Sequence, residues 1–353
     1  MRACQPSRDG YVERDGTKLH YEVYGAGEPT VFLLPTWSIM HSRHWKMQIP
    51  YLARHCRVLT FDGRGNGRSD RPTEPEAYRS AEFTADALAV MDATGTERAV
   101  LVAMSLGATW TLELGALHSE RVAGIVFIAP GLPLGLSAAR LAHSFTVRLD
   151  TTEGWAKFNQ HYWREHYREF LEFFFAQMFT EPHSTKPIED TVGWGLETDP
   201  ETLIATRLGS SAHGEPLSNP ERVAELATRV RCPVLVVHGD EDAIRPLANG
   251  AKLAPARRRP AGHHGGLRSR TPRPRPRQGQ PAAARLRQAG TAAAALGARQ
   301  VPSQARALHL LSDRARARPA GCRDRRRAAQ APSRPRDRLA CPAPGHGGAG
   351  GLR

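Results

Sequence analysis

Along the first 250 or so residues, short apolar runs alternate with longer stretches of helical periodicity. Strand-like runs lie at 19–24 (LHYEVY), 30–34 (TVFLL), 57–62 (RVLTFD), 99–104 (AVLVAM), 124–129 (GIVFIA) and 233–238 (PVLVVH). The inner runs are continuously apolar and β-branched, as parallel strands covered on both faces require. Helices are predicted between them, notably over 80–94 and 106–118. Strands alternating with helices predict an α/β fold built on a doubly wound, mostly parallel sheet.

Roughly a hundred residues between the last two strand-like runs break this alternation. They include HYWREHYREFLEFFFAQMF (161–179), in which Phe170, Phe173 or Phe174, and Met178 recur on one helical face. An insertion at this point predicts a helical cap over the carboxyl edge of the sheet. Its aromatic stripe reads first as cap-to-core packing and second as pocket lining, and the two are compatible. His161, Glu165 and His166 fit neither HExxH nor HxxEH, so a metalloprotease helix is excluded. The domain is expected to span 11–252, with its core in 11–133 and 228–252 and its cap at about 134–227.

Composition changes abruptly beyond this domain. The net charge of +14 averages two unlike parts. Residues 1–250 hold 25 Lys and Arg against 32 Asp and Glu, whereas 251–353 hold 24 basic residues against three acids. Residues 255–353 contain no Phe, Trp, Tyr, Ile, Met, Glu, Asn or Lys. Such a segment cannot bury enough apolar surface to offset its ordering entropy, so 253–353 is expected to be a disordered Arg/Pro/Ala-rich tail. Its charge would bind phosphate non-specifically, yet no aromatic residue is interleaved for base stacking, and no specific nucleic-acid partner is expected. Five scattered cysteines (Cys4, Cys56, Cys232, Cys322, Cys341) suit a reducing compartment. Neither an apolar leader nor an 18-residue apolar run is present, so a cytoplasmic location without membrane anchorage is expected.

The strongest chemical signal is Ala103-Met104-Ser105-Leu106-Gly107, which follows an apolar strand and opens a predicted helix. A serine on so sharp a strand-to-helix turn needs small residues two places to either side, and Ala103 and Gly107 supply them. The turn would also present the Leu106 N–H at a helix N-terminus, ready for a developing oxyanion. The alternative is a serine that caps an ordinary helix. A second motif, Phe61-Asp62-Gly63-Arg64-Gly65-Asn66-Gly67-Arg68-Ser69, closes a strand with a glycine-dense turn in which Asp62 and Arg64 are expected to bond loop backbone. A third, Val234–Asp242, is a buried strand ending in carboxylates. Asp242 stands past the strand's end, where a triad acid would orient a histidine, and Asp240 is the alternative.

Together LLPTW (33–37), FDGRGNGRSDRP (61–72), AMSLGA (103–108), RVAGIVFIAP (121–130) and CPVLVVHGDEDAIRP (232–246) resemble the α/β-hydrolase superfamily. They are most similar to its capped esterase, enol-lactonase and cofactor-free haloperoxidase-like branch, over about residues 11–252. The resemblance implies Ser105 as nucleophile, Asp242 as triad acid, and the N–H groups of Trp37 and Leu106 as oxyanion hole. Pro35-Thr36 departs from the His-Gly usual there.

The general base is missing. An unassisted serine hydroxyl is a weak nucleophile at neutral pH, and in the family a histidine follows a last strand after the acid. Here the tail offers Gly262-His263-His264 with no flanking strand to hold an imidazole. One permitted codon choice for 265–287, read one base later, encodes EGSGHAPHARDPVKVNLLLRDF: a Gly-His turn, a helix start and an amphipathic helix. The histidine of that reading overlaps Ser269, 27 residues beyond Asp242. The sequence therefore predicts a frameshift near codons 253–256, which resequencing tests. The chain as written is expected to lose a sheet-edge strand and a helix, and with them solubility and most activity.

The leading function is serine-type hydrolysis of a small apolar ester, thioester or lactone through an acyl-enzyme on Ser105. Haloperoxidase-like chemistry on the same residues and a catalytically silent sensor or binding domain are the alternatives. No metal-ligand cluster or phosphate-cradling loop is evident, so no cofactor is implied.

Overall fold

The computed structural model describes residues 4–134, 142–181, 183–240 and 242–253. The tail expected at 253–353 lies outside these residues except for Leu253, as do His263, His264 and the segment read in the shifted frame.

The sheet has seven strands: β1 (Arg8–Arg14), β2 (Thr17–Tyr24), β3 (Thr30–Leu33), β4 (Arg57–Phe61), β5 (Ala99–Met104), β6 (Val122–Ile128) and β7 (Val234–Val237). Their order is β1-β2-β4-β3-β5-β6-β7. Pairings β1–β2 and β2–β4 are antiparallel and the rest parallel, the doubly wound arrangement that the alternation predicts. All six strand-like runs became strands. The strand that apolar runs did not reveal is β1, whose residues RDGYVER are mostly exposed. Its signal lay in the turn: Asp15 and Gly16 both take positive φ (50° and 76°), as a two-residue Asp-Gly hairpin between twisted strands requires.

Helices α1 (Ile49–Leu52), α2 (Ser80–Ala93) and α3 (Gly107–Leu117) follow β3, β4 and β5. Side chains alternate across the sheet. Leu101 and Ala103 of β5 join an apolar cluster with Val90 and Met91 of α2 and Leu112 of α3. Val102 and Met104 face the opposite way, into a cluster with Trp37 and the aromatics of the inserted region.

That region supplies α4 (Gln160–Glu165), α5 (Tyr167–Met178), α6 (Thr185–Gly195), α7 (Pro200–Ser210) and α8 (Pro220–Arg229). The aromatic run over 161–179 is two helices, broken where His166 leaves helical geometry (φ −137°, ψ 46°). Asn159 caps the first by accepting from the His161 and Tyr162 N–H groups. Phe170, Phe174 and Met178 form a buried face of α5, while Phe173 is half-buried beside Trp155. α8 packs on α3, and its Val223 and Leu226 enter the cluster beneath the sheet.

The loop after β4 is held by charge. Asp62 accepts from the Ser42 and Arg68 N–H groups, as expected of a turn-stabilising carboxylate. Arg64 does more than bond backbone. Its Nε and Nη2 donate to both oxygens of Asp86 on α2 at 2.7 Å, and Nη1 donates to the Ala77 carbonyl. Asp86 is wholly buried and also accepts from Arg14 Nε, so the loop is pinned by a buried, hydrogen-bonded ion pair.

Strand β7 differs from the interior strands. β3 is buried throughout, whereas β7 is half-exposed and Leu235 is 38% accessible. Among the described residues β7 pairs only with β6, leaving an apolar edge of the kind that invites aggregation. Two outcomes are predicted. Leu235→Lys should raise the soluble yield while changing the urea-unfolding free energy by no more than about 0.5 kcal/mol; a larger loss would show that Leu235 is packed. Glu113 on α3 is buried, and burial lifts its carboxyl above the ordinary value of 4.5 against hydrogen bonds from Ser80 and Thr84. The folded state thus binds this proton more tightly than the unfolded state, and the associated stability is lost as pH rises through and above that value. Glu113→Gln should gain stability relative to wild type over that rise, measured by urea midpoints; a pH-independent difference would refute the assignment.

Candidate active site

The carboxyl ends of β3, β5, β6 and β7 deliver the candidate residues to one end of the sheet, where doubly wound folds form their crevice. Ser105 follows β5 directly and takes φ +50°, a left-handed conformation rare for a residue with a side chain. Its N–H donates to the Ile128 carbonyl and its own carbonyl accepts from the Gly131 N–H at 2.7 Å, so the end of β6 and the loop after it fix both sides of the turn. Space is minimal. A Cβ on Gly107 would lie 2.7 Å from the Pro35 oxygen, and one on Gly131 would lie 2.7 Å from the Ser105 carbonyl carbon. Ala103 adds no crowding at position 107, since an ideal Cβ there would sit 3.6 Å from the Ala103 methyl, an ordinary contact.

Trp37, after β3, is buried with its indole Nε1 donating to Thr206 Oγ1 at 2.7 Å. Its ring meets Phe158, Trp163 and Phe174. The Trp110 indole donates to the Pro35 carbonyl, holding the Pro35-Thr36 stretch against α3. Among the described residues, the backbone N–H groups of Trp37 and Leu106 have no hydrogen-bond acceptor. Buried backbone donors are seldom left so.

Ser105, Leu106 and Trp37 line a cavity of about 190 Å³. Its walls are Phe145, Phe158 and Phe174 from the inserted region, Leu217, and Arg207 and Ser210 of α7, with Ile244 and Arg245 from the loop after β7. Asp242 is not itself a wall residue. Its Oδ1 accepts from the Ile244 and Arg245 N–H groups at 2.9 Å each, and its Oδ2 lies 3.3 Å from His238 Nε2. Asp240 is exposed, so among the described residues the buried carboxylate of this loop is Asp242.

The structure thus brings three of the four expected site residues to one cavity, with the fourth two residues from its wall. Sequence reasoning missed His143, Arg207 and Arg245. Arg207 stands among Leu203, Ile204 and Leu208 of α7, and Arg245 between Ile244 and Pro246. A cation set in an apolar stretch was the available signal. Phe174 lines the cavity and Phe170 is core, so the aromatic stripe does both jobs expected of it. Among the described residues, no group of three or more His, Cys, Asp or Glu could hold a metal, and no helix is long and apolar enough to cross a membrane.

A family model for the alpha/beta hydrolase fold matches residues 29–263. The chain belongs to the α/β-hydrolase family of enzymes. Epoxide hydrolase A of Mycobacterium tuberculosis is 38% identical over 126 residues, 35% of this chain and 38% of that protein, so the match spans well under half of that relative. A Synechocystis protein named as a non-heme chloroperoxidase is 28% identical over 248 residues, 68% of this chain and 83% of its own. Among solved structures, Est816, an N-acyl homoserine lactone degrading enzyme, superposes with a TM-score of 0.55 at 25% identity, covering 69% of this chain and 87% of its own.

If the crowding around Ser105 sets its geometry, Gly131→Ala should displace the turn. In the frame-restored chain, hydrolysis of p-nitrophenyl butyrate should fall by about 10²-fold, since a displacement near 1 Å has that effect on an aligned reacting group. Unchanged hydrolysis in a folded variant would show that the turn has slack.

Proposed function

We propose that the chain is a serine hydrolase that cleaves a small ester, thioester or lactone through an acyl-enzyme on Ser105. The observation that carries this reading is the left-handed Ser105 at the strand-to-helix turn, beside two buried N–H groups without acceptors. Ser105 Oγ attacks the substrate carbonyl, and the tetrahedral oxyanion takes hydrogen bonds from the Trp37 and Leu106 N–H groups. The alcohol or thiol leaves with a proton, and water then releases the acid and restores the serine. Asp242 orients the base that accepts the serine proton. That base is the histidine of the shifted frame overlapping Ser269, so the chain as written turns over slowly. Small size and aromatic walls suit the cavity to a compact apolar acyl or ring group. The lactone-degrading activity named for Est816 supports the substrate class.

A haloperoxidase-like reaction is a second reading of the same residues, favoured by the similarity to the chloroperoxidase-named protein of Synechocystis. Free thiols at Cys4, Cys56 and Cys232 support a reducing, cytoplasmic location.

The test compares the chain as written with a frame-restored version on p-nitrophenyl butyrate. The restored protein should be at least about 10³-fold faster, and Ser105→Ala should reduce it to near background. His143→Ala should leave the restored rate unchanged within about twofold. Full activity in the Ser105→Ala protein would sink the nucleophile assignment, and equal rates with and without the restored frame would sink the base assignment.

A further inference from the structure

Besides Ser105, His143 and Ser210, the cavity at Ser105 is walled by apolar side chains and by two guanidinium groups that the hydrolytic steps do not use. Arg207 projects from α7 and Arg245 from the loop after β7, and both line the wall. Arg245 is 6% exposed. Among the described residues, Arg207 Nη1 and Arg245 Nε and Nη1 are buried without a hydrogen-bond acceptor. Neither arginine forms an ion pair there. Burial lowers the Arg207 pKa with no opposing charge, and it pushes Arg245 down to about 10, helped by Arg207 and opposed by Asp242. Asp242 Oδ1 receives the Ile244 and Arg245 backbone N–H groups and its Oδ2 lies 3.3 Å from His238 Nε2.

Two buried cations near one another are costly to hold without an anion between them. Their surroundings show how they are held. The Arg207 guanidinium lies over the rings of Phe145 and Phe158, 5.7 and 5.9 Å from the centroids, which supports its face and leaves Nη1 open. The arginine fork matches a carboxylate in a way that a point cation does not.

We propose that the substrate carries a carboxylate beside its ester, thioester or lactone, and that Arg207 and Arg245 bind that carboxylate while Phe145, Phe158 and Phe174 cover its apolar body. This rests on the serine-hydrolase reading for the position of the scissile carbonyl. The arginine site itself does not depend on turnover. A neutral ester would leave Arg207 Nη1 and Arg245 Nε and Nη1 without an acceptor among the described residues, so the pair selects for the anionic member of an isosteric set.

The test is a tryptophan-fluorescence titration of the full chain, using Trp37 at the cavity wall, with phenylacetate and its neutral isostere phenylacetamide at fixed ionic strength. Phenylacetate should bind at least about tenfold more tightly. Arg207→Met and Arg245→Met should each erase that preference while leaving phenylacetamide affinity within about twofold. Should the methionine change at Arg245 prevent folding, Arg207→Gln carries the same expectation from the more accessible partner. Ser105→Ala should keep the preference, so loss of the catalytic reading and loss of this one are separable. Equal affinity for the two ligands, binding of neither, or a carboxylate preference that survives the arginine changes would overturn the proposal; in the last case the carboxylate sits on the Trp37 and Leu106 N–H groups.

Discussion

Everything at the candidate site hangs on how closely three backbone segments approach at the carboxyl end of β5. Ser105 is forced into left-handed geometry because its N–H is bound to Ile128 and its carbonyl to Gly131. Gly131 and Gly107 fill the remaining space, one against the serine's own backbone and the other against the Pro35 carbonyl. The same contact that squeezes out side chains at 107 and 131 brings the Pro35–Trp37 segment beside α3. Trp37 and Leu106, from different segments, therefore come to line one cavity without a separate device to align them. Strain at one residue and donors at two others are consequences of one packing arrangement.

The rest of the fold serves to hold that arrangement rigid while leaving the cavity open. Trp37 is gripped from above by the aromatics of α4 and α5 and by Thr206 of α7. The loop after β4 is fixed by Arg64 on Asp86. Against this rigid background the arginines stand out: Arg207 and Arg245 share a wall that is otherwise mostly aromatic and aliphatic. Burying two like charges near Ser105 costs stability, which the proposed selection of an anionic substrate would offset.

Much of this was legible in the sequence because it depends on local pattern. Six apolar runs became strands, and the serine turn followed from small residues spaced around Ser105 after β5. β1 was hidden because its face is polar, with only the Asp15-Gly16 turn to mark it. Arg64 was read as a backbone ligand because nothing in the sequence shows that Asp86, 22 residues on, points back at it. The cavity's arginines were hidden for the same reason. Arg207 on a helix and Arg245 on a loop are 38 residues apart, and only tertiary packing shows that they share a wall. Long-range juxtaposition, not element type, was what the pattern lacked.

The central claim is that the strained turn makes Ser105 a nucleophile poised at an oxyanion site. Incubating the frame-restored chain with a fluorophosphonate and mapping the adduct by peptide mass spectrometry tests it directly. Phosphonylation confined to the peptide bearing Ser105 is the predicted result. A folded chain that stays unlabelled, or that is labelled at another serine, would contradict the account.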